Sequence, residues 1–251
     1  MRFSLVAPLV ALGLGMLPGP GAFAQGFQIT PTQVELTPRA RSAIITVRNA
    51  GAQPLRLQAS AFEWRQDRRG ELLLARTQEV ALFPALLTIA PGASRNLRVS
   101  AIGGVRFGDV ERTFRVLLDE LPGDAGTETP TVKIVTRVSI PVYLEPPRPA
   151  PRAEIAGLQR EGQHVSFSLR NTGNVRIRPE SVRVVGRDQA GASVVELPLT
   201  AWYVLAGDDR AYEAELPRDA CARVRSVAAE AVQGELKVQA QIPAPDGACA
   251  P

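Results

Sequence analysis

The chain has 251 residues, 45% of them hydrophobic and 5% aromatic, with 29 Lys and Arg against 25 Asp and Glu. Such a length suits two domains rather than one. The formal charge of +4 is almost wholly arginine, since Lys133 and Lys237 are the only lysines, and it is spread over both halves without interleaved aromatics, which speaks against a nucleic-acid-binding role.

In chain order, residues 1–24 read as a secretory signal. Arg2 is its positive end, residues 5–17 are a short apolar run, and Ala22-Phe23-Ala24 is a small-x-small cleavage site before Gln25. Pro8, Pro18 and several glycines make that run too short and too broken for a membrane anchor, and no later segment is long and apolar enough to span a bilayer, so membrane insertion is not expected. Helical periodicity is scarce. Short alternating apolar runs recur between Gly, Pro, Asn and Asp turns, which predicts an all-β protein built of sandwiches. The predicted strands include TPTQVEL (30–36), TVRNAGAQPLRL (46–57) and FPALLTIAPGASRNLRVS (83–100).

A hairpin follows. ERTFRVLLDELP (111–122) and TVKIVTRVSIPVYLEP (131–146) flank a polar turn, GDAGTETP (123–130). In the second arm Val132, Ile134, Val138, Ile140 and Val142 fall on one side, with Thr136 in the gap; Lys133, Val135, Arg137 and Ser139 fall on the other. A strand with one apolar and one basic, polar row suits two different partners, one for each face. A Pro-rich joint, EPPRPAPRAE (145–154), separates the halves and stiffens their connection, giving a first domain over 25–146 and a second over 147–251. The second half continues with SFSLRNTGNVRIRP (166–179) and LTAWYVLAGDDR (199–210).

Catalysis finds no support. His164 is the single histidine and has no nucleophile–acid pair in a recognisable motif. One His and two late Cys do not make a zinc site, and there is no Gly-rich phosphate loop. No catalytic residue, metal or cofactor is expected.

Taken together, the order and spacing of these segments resemble the periplasmic pilus chaperones of chaperone–usher assembly systems, over nearly the whole chain after the signal. The resemblance implies two immunoglobulin-like β-sandwich domains joined at an angle, residence in the periplasm, and two partners: pilin-like fibre subunits and an outer-membrane usher. In that family the first domain lends its last strand to a subunit that lacks one. Strand addition of this kind gains affinity from ladder hydrogen bonds and specificity from alternating side chains. The implied donor positions are Val132, Ile134 and Thr136, with Val138 continuing the row. Burial of each Val or Ile would contribute about 1.5–3 kcal/mol before ordering costs. The same periodicity also fits a row packed in the chaperone's own core. If the row is exposed in the free protein, self-association is one way of covering it.

The sequence departs from the family in one respect. Family members anchor the subunit's terminal carboxylate with a basic pair, and the corresponding positions here are Gln33 and Pro141. Gln33 can donate a hydrogen bond; Pro141 has neither a side-chain donor nor a backbone N–H. Arg137 shares the side-chain parity of Pro141 and is either a substitute cation or a solvated strand charge. The resemblance also implies an ion pair between Arg98 and Glu111 that helps fix the domain orientation, with Glu230 as a candidate acidic partner in the second domain.

Cys221 and Cys249 lie 28 positions apart in the second half. In an oxidising compartment they are expected to pair, contributing roughly 3 kcal/mol in the chain-entropy model; two free thiols are the alternative. The competing function is a structural immunoglobulin-like surface or matrix protein without chaperone activity.

Overall fold

The computed structural model describes residues 26–122 and 135–244. The first half forms ten strands: β1 (Phe27–Thr30), β2 (Val34–Leu36), β3 (Ser42–Asn49), β4 (Leu55–Gln66), β5 (Leu72–Arg76), β6 (Val80–Phe83), β7 (Leu86–Ile89), β8 (Ser94–Ala101), β9 (Arg112–Glu120) and β10 (Arg137–Leu144). They make two sheets. One has the order β1-β3-β8-β6; the other has the order β2-β10-β9-β4-β5, with β7 also paired to β4. The residues that turn inward are those the alternation selects, such as Ile45 and Val47 on β3, Leu97 and Val99 on β8, and Phe114, Val116 and Leu118 on β9.

Two prolines mark where the chain changes sheet. Pro31 separates β1, paired with β3, from β2, paired in parallel with β10. Pro84 separates β6, paired with β8, from β7, paired with β4. A residue without an N–H cannot extend a ladder, so a strand that must leave one sheet for the other can do so there.

The second half begins with β11 (Ala153–Glu161), β12 (His164–Asn171), β13 (Ser181–Arg187), β14 (Ser193–Leu199) and β15 (Asp209–Glu215). It ends with one helical turn, α1 (Arg218–Cys221), then β16 (Ser226–Gln233) and β17 (Leu236–Pro243). The sheets run β11-β12-β15 and β14-β13-β16-β17 and enclose their own core around Val165, Phe167, Leu169, Val184 and Val227. The nearly all-β content and the two sandwiches match the fold class expected from the sequence.

Between β10 and β11 the Pro-rich joint passes close to the β12–β13 turn. A Cβ on Gly173 would lie 2.4 Å from the Ala150 carbonyl oxygen, so only glycine admits the joint there. Asn174 fastens the joint: its Nδ2 donates to the Asp109 and Arg148 carbonyls at 2.8 and 2.9 Å, and its Oδ1 accepts from the Ala150 N–H at 2.7 Å. At the other end of the junction Arg68 Nη2 pairs with Asp209 Oδ2 at 2.8 Å, and the Ala211 N–H donates to the Arg68 carbonyl.

Candidate functional site

Along β10 the even-numbered side chains form a gradient. Ile140, Val142 and Leu144 are fully buried in the first core, Val138 is half-buried against it, and Thr136, just ahead of the strand, is exposed. Burial on this row therefore falls toward the N-terminal end of the strand, from a half fully within the core to Val138 at its margin. Val132 and Ile134 lie outside the described residues.

The ladder shows which edge is open. The Glu120 N–H donates to the Thr136 carbonyl, while the Glu145 N–H donates to the Leu36 carbonyl on the opposite side. In an antiparallel pair hydrogen-bonding residues alternate, so even-numbered residues of β10 bond β9 and odd-numbered ones face away. On that far edge β2 pairs only with Val142–Leu144. The edge from Arg137 to Pro141 has no strand beside it among the described residues, and it offers the N–H groups of Arg137 and Ser139. Pro141 supplies no donor there and so ends that series, as expected of a proline at an edge.

The odd-numbered side chains of β10 face the second domain. Tyr143 is buried and forms a cluster with Trp64, Tyr203 and Leu205 across the junction; the Trp64 and Tyr203 rings meet edge-on at 5.6 Å. Arg176, from the loop after β12, lies over the Tyr143 ring at 3.5 Å. It gathers three carboxylates of the first half: Glu35, Glu111 and, at 3.6 Å, Glu145. The Glu111 carboxylate also accepts the Arg176 backbone N–H at 3.0 Å. Burial pushes the Glu111 carboxyl above the usual carboxylate range, and neighbouring Glu145 adds to the rise while Arg176 opposes it.

This arrangement corrects the expected Arg98–Glu111 ion pair. Arg98 is on β8, facing Ile44 and Phe83 in the other sheet, and is exposed. Glu111 is buried at the junction and its partner is Arg176. Glu230 does not reach the junction either: it pairs with Arg183 and Arg187 inside the second domain. The cation paired with Glu111 thus comes from the second half of the chain, not from β8. The signal was present in the run VRIR, where Val175 and Ile177 turn inward and Arg176 must point elsewhere.

Gln33 is exposed between β1 and β2 and donates to Glu35 Oε1 at 3.2 Å. With Glu145, Arg176, Arg178, Trp202 and Tyr203 it lines an interdomain cleft of about 850 Å³. Arg137 is exposed and pairs with Asp119 across the hairpin. A second cation on the junction face of this sheet escaped the sequence reading. Arg115 lies directly opposite Pro141 on one side and Phe62 on the other, only 6% exposed, 3.7 Å over the Trp64 ring.

Cys221 is buried, with an Arg160 amino group 3.1 Å from its sulfur; Cys249 lies outside the described residues. His164 is on the surface of β12, with Nδ1 2.9 Å from Glu215. Among the described residues no cluster of three or more His, Cys, Asp or Glu side chains could hold a metal, and no helix is long and apolar enough to cross a membrane.

Two β-sandwiches are joined through a closely packed junction, and the first ends in a strand with one edge unpaired among the described residues. Residues 26–150 match the family described as pili and flagellar-assembly chaperone, PapD N-terminal domain, and the chain belongs to the pilus-chaperone family. No curated protein matches it in sequence. Solved structures share the fold at low identity. One is the CsuC–CsuE chaperone–tip adhesion subunit complex from archaic Csu pili of Acinetobacter baumannii, at 16% identity, 86% of this chain, 98% of that one and a TM-score of 0.56. The E. coli chaperone DraB matches at 18% identity, 88% and 96% coverage and a TM-score of 0.54. The Salmonella enterica SafA pilin in complex with the SafB chaperone matches at 13% identity, 87% and 97% coverage and a TM-score of 0.55.

Proposed function

We propose that this protein is a periplasmic chaperone that captures pilin-like fibre subunits by strand donation and hands them to an outer-membrane usher. The observation that carries the reading is β10 itself: its apolar row comes to the margin of the core at Val138 and is exposed at Thr136, and from Arg137 to Pro141 its outer edge has no strand beside it among the described residues. An incoming subunit strand can pair with the N–H groups of Arg137 and Ser139, while the row Val132, Ile134, Thr136 and Val138 fills the subunit's own open core. The match of the first domain to the chaperone family supports the reading, as do relatives of the same fold solved with an adhesion subunit and with a pilin.

The test is co-purification of the cognate subunit with Ile134→Asp and Lys133→Asp variants, each also followed by thermal melting. An aspartate at 134 would place an unpaired charge in an apolar groove, at a cost of several kcal/mol. Capture should be abolished with the fold intact, and Lys133→Asp, on the opposite parity, should capture nearly normally. Normal capture by a folded Ile134→Asp variant would rule out donation by this segment; unfolding would place Ile134 in the protein's own core.

Export should leave a mature chain starting at Gln25, checked by N-terminal sequencing of the periplasmic fraction; recovery of residues 1–24 in a membrane fraction would contradict it. In the periplasm Cys221 and Cys249 should be paired. Thiol titration after denaturation should find no free thiol, and reduction should remove roughly 3 kcal/mol of stability.

A further inference from the structure

Several edge strands of this protein are guarded; β5 is not. β10 carries Arg137 and Pro141 along its outer edge, β14 carries Pro198, and β15 carries Asp209, Arg210, Glu213 and Glu215. Charges and prolines of this kind keep one sheet from pairing with another. β5 has neither until its last residue. It reads LLLAR, its ladder partner among the described residues is β4 alone, and all of its residues are exposed. Leu73 is 52% exposed, and Leu72 and Leu74 39% each, so the strand offers apolar side chains on both faces.

The ladder dictates what this edge can pair with. The Asp67 N–H donates to the Glu71 carbonyl, and Leu72 to Arg76 stand opposite Gln66 to Phe62. Hydrogen-bonding residues alternate in an antiparallel pair, so Glu71, Leu73 and Ala75 bond β4, while Leu72, Leu74 and Arg76 turn their N–H and C=O groups outward. Those three positions are symmetric about Leu74. An antiparallel copy of the same strand, related by a two-fold axis at Leu74, therefore matches all of them: Leu74 faces Leu74 and Leu72 faces Arg76, with about six hydrogen bonds formed. On the opposite face Leu73 meets Ala75. The charges agree as well. The strand begins beside Glu71 and ends on Arg76, so the antiparallel copy brings a basic end to an acidic end and holds the Cα atoms of the paired copies' Arg76 residues roughly 14 Å apart.

We propose that β5 is a self-association edge, at which a second copy of this chain pairs antiparallel about Leu74 and joins two first-domain sheets into one. β5 and β10 lie toward opposite edges of the same sheet, so this pairing leaves the open edge of β10 free and does not rest on strand donation. A ladder this short covers far less than the about 1,600 Å² of a standard interface, so the dimer should be weak and concentration-dependent.

Sedimentation of the mature protein should show monomer at about 1 μM and a growing dimer toward about 1 mM. Leu74→Pro removes an outward N–H and leaves the β4 ladder untouched. It should abolish the dimer and shift the melting temperature by no more than about 2 °C. Thr136→Asp, on the β10 row, should keep the dimer. Crosslinking reads the register directly and decides the matter if Leu74→Pro does not fold. Hydrogen-bonded pairs stand about 5.5 Å apart at Cα, so Leu74→Cys under diamide should form a disulfide-linked dimer at least about tenfold faster than Leu72→Cys. An equal mixture of Leu72→Cys and Arg76→Cys should link as the mixed dimer, with wild type treated alike as background. A chain that stays monomeric to about 1 mM leaves the edge to an extended segment of another protein and overturns the proposal. So does a dimer that survives in a folded Leu74→Pro, or equal linking at 72 and 74. A dimer lost in Thr136→Asp would place the contact on the β10 row and overturns it too.

Discussion

Asn49 and Asn171 stand at the same place in the two sandwiches. Each is buried at the end of a core strand, donates from Nδ2 to two backbone carbonyls, and accepts the N–H of a glycine two residues on. For Asn49 the partners are Gln53, Ile89 and Gly51; for Asn171 they are Val175, Val204 and Gly173. The final strands, by contrast, are unlike. On β17 the residues Leu236, Val238 and Ile242 are all half-buried against the second core, so the strand is covered evenly along its length. On β10 the row passes from fully buried Ile140 to half-buried Val138 and exposed Thr136. The row on β10 thus grades from core to margin at its N-terminal end, whereas the row on β17 keeps one level of burial along its length.

The sharpest way to break this contrast is to place a charge at successive points of the two rows. Ile140→Asp buries a carboxylate in a closed core and should cost at least about 4 kcal/mol, enough to unfold the first sandwich. Val238→Asp, at a half-buried site, should cost about 1–2 kcal/mol. Thr136→Asp should leave stability within about 0.5 kcal/mol yet abolish subunit capture. Urea unfolding supplies the stabilities and co-purification the capture. Equal losses of stability at 136 and 140 would contradict the burial gradient along this row.

The junction supplies the next largest effect. Removing Arg176 leaves Glu111 buried opposite nothing and withdraws the cation from Tyr143. Arg176→Ala should cost about 3–5 kcal/mol, the usual penalty for breaking a buried pair from one side. The two sandwiches should then melt as separate transitions in calorimetry, whereas the intact protein should melt as one. A single unshifted transition in the variant would show that the Pro-rich joint and Asn174 suffice to couple them.

Much of this was legible in the sequence because strands announce themselves by alternation. The rows of β3, β8 and β12 alternate cleanly, and so their inward faces could be read off directly. The stretch IPVYL could not be read in this way, since Tyr143 and Pro141 are buried on one face while Ile140, Val142 and Leu144 are buried on the other. Period two carries no information when both faces are covered. The Arg176 hub and the Arg115 stack on Trp64 were illegible for a different reason. They join residues from strands and loops far apart in sequence, and nothing local distinguishes an arginine aimed at a distant partner from one aimed at water. The family-based pairing of Arg98 with Glu111 failed at this point: it assigned a long-range contact by position, and the contact had moved to the second domain.

The shared turn tests the similarity rather than the difference. Each asparagine closes its turn with three hydrogen bonds in a buried site, and alanine would leave two carbonyls and one N–H unmatched. Replacement should cost about 2–3 kcal/mol at either position, less than the sum of three bonds left fully open because water can reach the turn side. If the two turns are equivalent, Asn49→Ala and Asn171→Ala should agree within about 1 kcal/mol in urea unfolding. Hydrogen exchange should localise the loss of protection, to β3 and β7 for the first and to β12 for the second. An Asn49→Ala cost well above that of Asn171→Ala would mean that the first sandwich has less stability in reserve than the second.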